Sequence, residues 1–150
     1  MSFDPKSRAD IIDRSINLEG IISLLVTNHF FPKQPLPLRF LHGVMCDANA
    51  NTAFKLSVFA KCYPNFPKQL LERSRRIFNI RNIFAHCGIV VTNLVDPDRS
   101  GVLDPKHLDE PLDLEALVQE FNQHYGLVVD ELFVLMKARG IPMEKHQPAG

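Results

Sequence analysis

The sequence predicts an all-α domain: a bundle of four main helices, with a short β-hairpin or ordered loop at about residues 89–109 before the last of them. Three observations predict it. Apolar residues recur at three- and four-residue spacing over long runs. Proline and glycine clusters punctuate those runs at a few places. Only one stretch, Ile89 to Thr92, has the β-branched character of a strand. The 150 residues suffice for one domain with its own core. Residues 1–150 are therefore read as a single unit with a loose tail at 143–150.

The first helix starts at Asp4-Pro5, an acceptor for an orphan amide followed by a residue with no N–H to leave unpaired. Ile11, Ile12, Ile16, Leu18, Ile22, Leu25, Val26 and Phe30 follow at helical spacing, with Arg8, Asp10, Asp13, Arg14 and Glu19 largely opposite. Pro32, Pro35 and Pro37 end it. A second helical stretch runs from about Leu38 to Cys62, and Gly43 with the polar run Asp47–Asn51 predicts a bend or break within it. Tyr63-Pro64-Asn65-Phe66-Pro67 reads as a turn that launches a third helix, about Pro67 to His86. That helix gathers Leu70, Leu71, Ile77, Phe78, Phe84 and Ala85 near one face, and Gly88 suits a cap with positive φ. Asp113 is a good cap for the last helix, whose apolar stripe runs from Leu114 and Leu117 to Leu135 and Met136. Gly140 and Pro142 stop it.

Lysine plus arginine and aspartate plus glutamate number 17 each, so the chain as a whole does not seek polyanions, and any nucleic-acid contact must come from local charge. The three cysteines include no CxxC pair and read as reduced thiols of a cytoplasmic protein. The negative pole of a helix end disfavours a thiolate at Cys87. No signal peptide is legible, and no apolar run approaches the roughly 20 residues that span a bilayer. No membrane association is expected.

The third helix ends Arg81-Asn82-Ile83-Phe84-Ala85-His86. Asn82 and His86 are four residues apart and share a helix face, while the long stem of Arg81 can bring its guanidinium to the same place. An imidazole that can move protons to and from a ribose 2′-OH and a leaving oxygen, with an arginine to stabilise phosphoryl charge, is a sufficient kit for cleaving RNA without metal. Arg73 and Arg76, on the same helix, are candidate RNA-binding residues whose alternative role is inter-helix ion pairing.

In its Arg-Asn-x-Phe-Ala-His form this segment resembles the signature of the HEPN superfamily, an arginine and a histidine separated by four to six residues. The resemblance implies a helical bundle with the motif at the end of the third main helix, and a symmetric homodimer with two motifs facing a cleft. It further implies a metal-independent, cofactor-free ribonuclease of toxin or defence type, with Arg81 and His86 catalytic and Asn82 supporting. The other branch it implies is a non-catalytic module that binds nucleotides or regulatory proteins, as in the mannitol-operon repressor family. Toxins of the superfamily that are silenced by nucleotide attachment often carry Tyr two residues after the histidine. Gly88 stands there, which argues against that form of control by an antitoxin.

Asp96, Asp98, Ser100, Gly101 and Asp104 match part of a calcium-binding EF-hand loop. His107 replaces the essential glutamate, and a turn accounts for the same residues. His29, His42, His107, His124 and His146 show no metal-ligand spacing, so no metal is expected. Asp13 and Glu19 on the first helix are candidates to reach the motif.

Overall fold

The computed structural model describes residues 5–33, 37–86, 88–90, 101–104, 107–111 and 113–142. Helix α1 spans Pro5–Phe30, α2 Leu38–Phe40, α3 Thr52–Cys62, α4 Lys68–His86 and α5 Leu114–Ala138. Strands β1 Gly88–Val90, β2 Gly101–Asp104 and β3 His107–Pro111 lie between α4 and α5. The all-α class is as expected, and no helix of the described residues is long and apolar enough to cross a membrane.

The predicted break in the second helical stretch is real. After α2 the chain runs as a π-helix over Leu41–Met45, and Cys46 N donates to Leu41 O at 2.9 Å. A new helix then starts at Thr52, capped by Asn51, whose side chain accepts from Phe54 N at 2.9 Å. Tyr63–Pro67 forms the expected turn, with Phe66 N bonded to Tyr63 O at 3.0 Å. Asp113 caps α5 by accepting from Ala116 N at 3.0 Å.

The short β-hairpin or ordered loop expected at about 89–109 is not what its described residues form. Three short antiparallel strands pair in the order β1-β2-β3, with Ile89 opposite Val102 and Asp104 opposite His107. The third strand carries no β-branched residue, so composition could not announce it. The turn expected from Asp96 onward, through Ser100, lies outside the described residues, as do Cys87 and the 143–150 tail.

One core joins the four long helices. Ile11, Leu18, Ile22, Leu25 and Val26 of α1 meet Leu56 and Phe59 of α3, Ile77, Ile80 and Phe84 of α4, and Phe121, Val128 and Leu132 of α5. The stripe on α1 is narrower than its apolar content suggests. Ile16 and Phe30 are more than half exposed, while Ser15, Ser23 and Thr27 are buried. Each buried hydroxyl is satisfied within the helix, donating to Ile11 O, Glu19 O and Ser23 O respectively at 2.7 to 2.9 Å.

Helix α5 ends in a Schellman motif. Gly140 has φ of 67°, its N–H donates to Lys137 O at 3.1 Å, and Ile141 N donates to Met136 O at 3.0 Å. Ile141 and Met136 are both buried, so the cap also closes an apolar contact. Nothing crowds the glycine, so the cost of a side chain there is conformational alone. Gly140→Ala is expected to lower stability by about 1 kcal/mol, measurable by urea denaturation. An unchanged midpoint would mean that the left-handed geometry is not kept in solution.

Candidate functional site

Helix α4 presents three different surroundings to its polar residues. Leu71, Ile77, Phe78, Ile80 and Phe84 face the core, together with Ser74, whose hydroxyl donates to Leu70 O at 2.8 Å. Glu72, Arg75, Asn79, Asn82 and His86 recur at three- and four-residue spacing on the outer face, all exposed. Arg73, Arg76 and Arg81 occupy the flanks.

Arg81 and Asn82 are in contact. Arg81 Nε and Nη2 both donate to Asn82 Oδ1, at 3.3 and 3.1 Å, and the guanidinium carbon lies 5.4 Å from the Phe78 ring centroid. Arg81 Nη1 also reaches Glu19 Oε2 of α1 at 3.4 Å. His86 sits exposed one turn beyond Asn82, with no hydrogen bond or ion pair among the described residues. Close by, Arg8 Nη2 donates to Ala85 O at 3.0 Å, so an arginine of α1 satisfies a carbonyl in the last turn of α4.

Of the two acidic candidates on α1, Glu19 reaches the motif and Asp13 is exposed. Glu19 contacts Arg81 rather than His86. Its other oxygen takes a 2.7 Å hydrogen bond from Lys55 Nζ of α3. Three of the residues expected largely on the outer side of α1, Arg8, Arg14 and Glu19, are thus turned inward, while Asp10 and Asp13 are exposed. Glu19 and Arg8 contact neighbouring helices, and Arg14 lies over the Phe121 and Tyr125 rings at 4.8 and 5.2 Å. Lys55 was not legible as a site residue. Its signal was positional: it shares the core-facing row of α3 with Phe59 and Cys62, while the neighbouring Phe54 faces solvent.

Arg73 and Arg76 are brought together, but against α5 rather than beside Arg81. Arg76 Nε and Nη2 clamp the two oxygens of Glu120 at 2.6 and 3.0 Å. Arg73 Nη1 lies 2.9 Å from His124 Nδ1, and His124 Nε2 lies 3.3 Å from Glu120 Oε1. Arginine can only donate, so Nδ1 is the acceptor and the ring proton sits on Nε2, facing the carboxylate. The inter-helix role weighed for these two arginines is the one their contacts describe. The two candidate RNA-binding arginines thus lie on one flank of α4 and Arg81 on the other.

The Arg76 hydrogen bonds hold the Glu120 carboxyl below the usual carboxylate range, opposed by partial burial and helped by His124. Protonating Glu120 therefore costs more in the folded chain than in the unfolded one. The clamp contributes its full stability above the unfolded pKa of about 4.3 and loses it as pH falls through the lower folded value. The thermal-stability gap between wild type and Arg76→Gln should be open at pH 7 and narrow toward pH 3. A gap independent of pH would show that the clamp does not form. Partial exposure of both groups keeps the gap small.

Compared with protein-family models, with curated proteins and with solved structures, the chain matches none. Among the described residues there is no group of three or more His, Cys, Asp or Glu able to hold a metal. Most of the partial calcium loop, and His107 and His146 as side chains, fall outside what is described. An open groove lined by Tyr63, Pro64, Phe66, Glu131, Val134 and Arg139 includes none of the motif residues. Its arginine is engaged, donating to Asn28 Oδ1 at 3.0 Å.

Proposed function

We propose that the chain is a HEPN-type, metal-independent endoribonuclease acting as a homodimer, with Arg81 and His86 as the reacting groups and Asn82 supporting them. The observation that carries this reading is the joined Arg81–Asn82 pair with an uncommitted His86 exposed one turn further along the same helix.

In this chemistry an imidazole takes the proton from a ribose 2′-OH. The oxygen attacks the adjacent phosphorus, and the 5′ oxygen departs to leave a 2′,3′-cyclic phosphate. Arg81 would stabilise the charge on the non-bridging oxygens, and Asn82 fixes the plane of its guanidinium. The departing oxygen needs a proton in the same step. One histidine cannot readily both take and give it, so His86 of a second copy is the natural donor. No step calls for a metal or cofactor. A cytoplasmic setting, a toxin or defence role and an antitoxin partner belong to the same reading.

The test is incubation of a mixed-sequence RNA in EDTA with wild type and with the Arg81→Ala/His86→Ala double variant. Cyclic phosphate ends from wild type alone are expected. Intact RNA from both, with and without added divalent ions, would sink the reading.

One observation favours a second reading, a non-catalytic regulatory module that binds a nucleotide or a partner protein. Arg81 is not free but shares Glu19 with Lys55. On this reading the arginine ties α1 to α4, and the outer face of α4 is a docking surface. A dimer that leaves RNA intact but retains a nucleotide at the motif would support it.

A further inference from the structure

Lys55 is the one buried charged residue among those described, 6% exposed. It occupies a core-facing position of α3, where an aliphatic side chain would avoid desolvating an ammonium. Its Nζ donates to Glu19 Oε1 at 2.7 Å, while Arg81 Nη1 is 3.4 Å from Glu19 Oε2. One carboxylate therefore serves two cations. The two contacts are unequal, close and buried on the Lys55 side, long and more exposed on the Arg81 side.

We propose that Lys55 is a positioning residue that keeps Arg81 available to a phosphate group by holding Glu19, the built-in competitor that the phosphate displaces. The charges of Lys55, Glu19 and Arg81 sum to one net positive, and the excess lies at the exposed end. If Lys55 were neutral, Glu19 would have Arg81 as its only cationic partner and the pair would close to an ordinary short ion pair. A phosphate would then have to compete against a fully engaged carboxylate. With Lys55 in place, Arg81 can leave Glu19 without stranding a buried charge. Asn82 occupies two of the five guanidinium N–H groups and Glu19 a third, which leaves two uncommitted among the described residues for phosphoryl oxygens. The charge arrangement stands on geometry alone; that the phosphate belongs to RNA rests on the reading above.

The test follows the Arg81 Nε–Hε resonance in 15N-labelled protein titrated with inorganic phosphate. A saturable shift is expected in wild type. Glu19→Gln, with one more net positive charge, should bind about five-fold tighter, the scale of a partly exposed ion pair. Lys55→Met, with one fewer, should bind weaker by a similar factor. The double variant Glu19→Gln/Lys55→Met restores the wild-type sum without a buried unpaired charge, and should bind as wild type does. It also guards against misreading Glu19→Gln, which by itself leaves the buried Lys55 ammonium without its carboxylate. An unmoved resonance in wild type, or variants that do not follow this charge order, would overturn the proposal. Repeating the titration with a 2′-O-methyl RNA lacking terminal phosphates separates the two inferences. If phosphate moves the resonance and the RNA does not, the phosphate site stands and the RNA reading falls.

Discussion

His86→Ala is expected to lower RNA cleavage by about two to four orders of magnitude, the usual contribution of a positioned acid or base, while leaving the fold in place. The two halves of that expectation are separable because His86 is exposed and makes no hydrogen bond or ion pair among the described residues. Removing an exposed side chain with no partner usually changes stability by less than about 0.5 kcal/mol. A large loss of activity would therefore be chemical rather than structural. Arg81 is a less clean probe, because Arg81→Ala also removes the contacts to Asn82 and Glu19. The two variants together give the useful pattern: both lose cleavage, and only the arginine variant measurably changes thermal stability. Retained cleavage in His86→Ala would remove the histidine from the mechanism and, with it, the ribonuclease reading built on it.

The largest expected effect on stability is at Phe121. Its ring is fully buried, stacks on Tyr125 at 5.7 Å with an interplanar angle of 14°, and lies 4.8 Å beneath the Arg14 guanidinium. Phe121→Ala removes the ring from the contact between α1 and α5 and leaves a cavity, at a cost of about 3–5 kcal/mol. Losing one face of the Arg14 site adds to this. In a chain of this size, that loss lowers the melting temperature on the order of 10 °C. Phe133, on the same helix but 40% exposed, is the internal comparison and should cost much less when changed to alanine. Equal effects at the two positions would mean that Phe121 is not packed as described.

Local physics made much of the fold legible. A cap, a proline or a glycine acts within a few residues of itself, so the start of α4 after Pro67, the Asp113 cap and the stop at Gly140 could all be read directly from the chain. The apolar row of α5 was equally plain, because a helix that buries one face must repeat at its own period. The six residues from Arg81 to His86 lie within two turns of one helix. Sequence was therefore enough to put Asn82 and His86 on one face and Arg81 within reach of Asn82.

Tertiary structure decided what no spacing along one helix can express: which flank of α4 meets which neighbour. Arg73 and Arg76 turn to Glu120 and His124 because α5 packs there, and Arg81 turns to Glu19 because α1 packs on the other flank. Basic residues on one helix look alike in a sequence, and only their partners from elsewhere in the chain tell a free cation from a paired one. Lys55 marks the same limit. A lysine among apolar residues reads as a solvated side chain until the fold brings a carboxylate 36 positions away to within 2.7 Å of it. Long-range charge pairing depends on helix docking, and helix docking is set by the whole core.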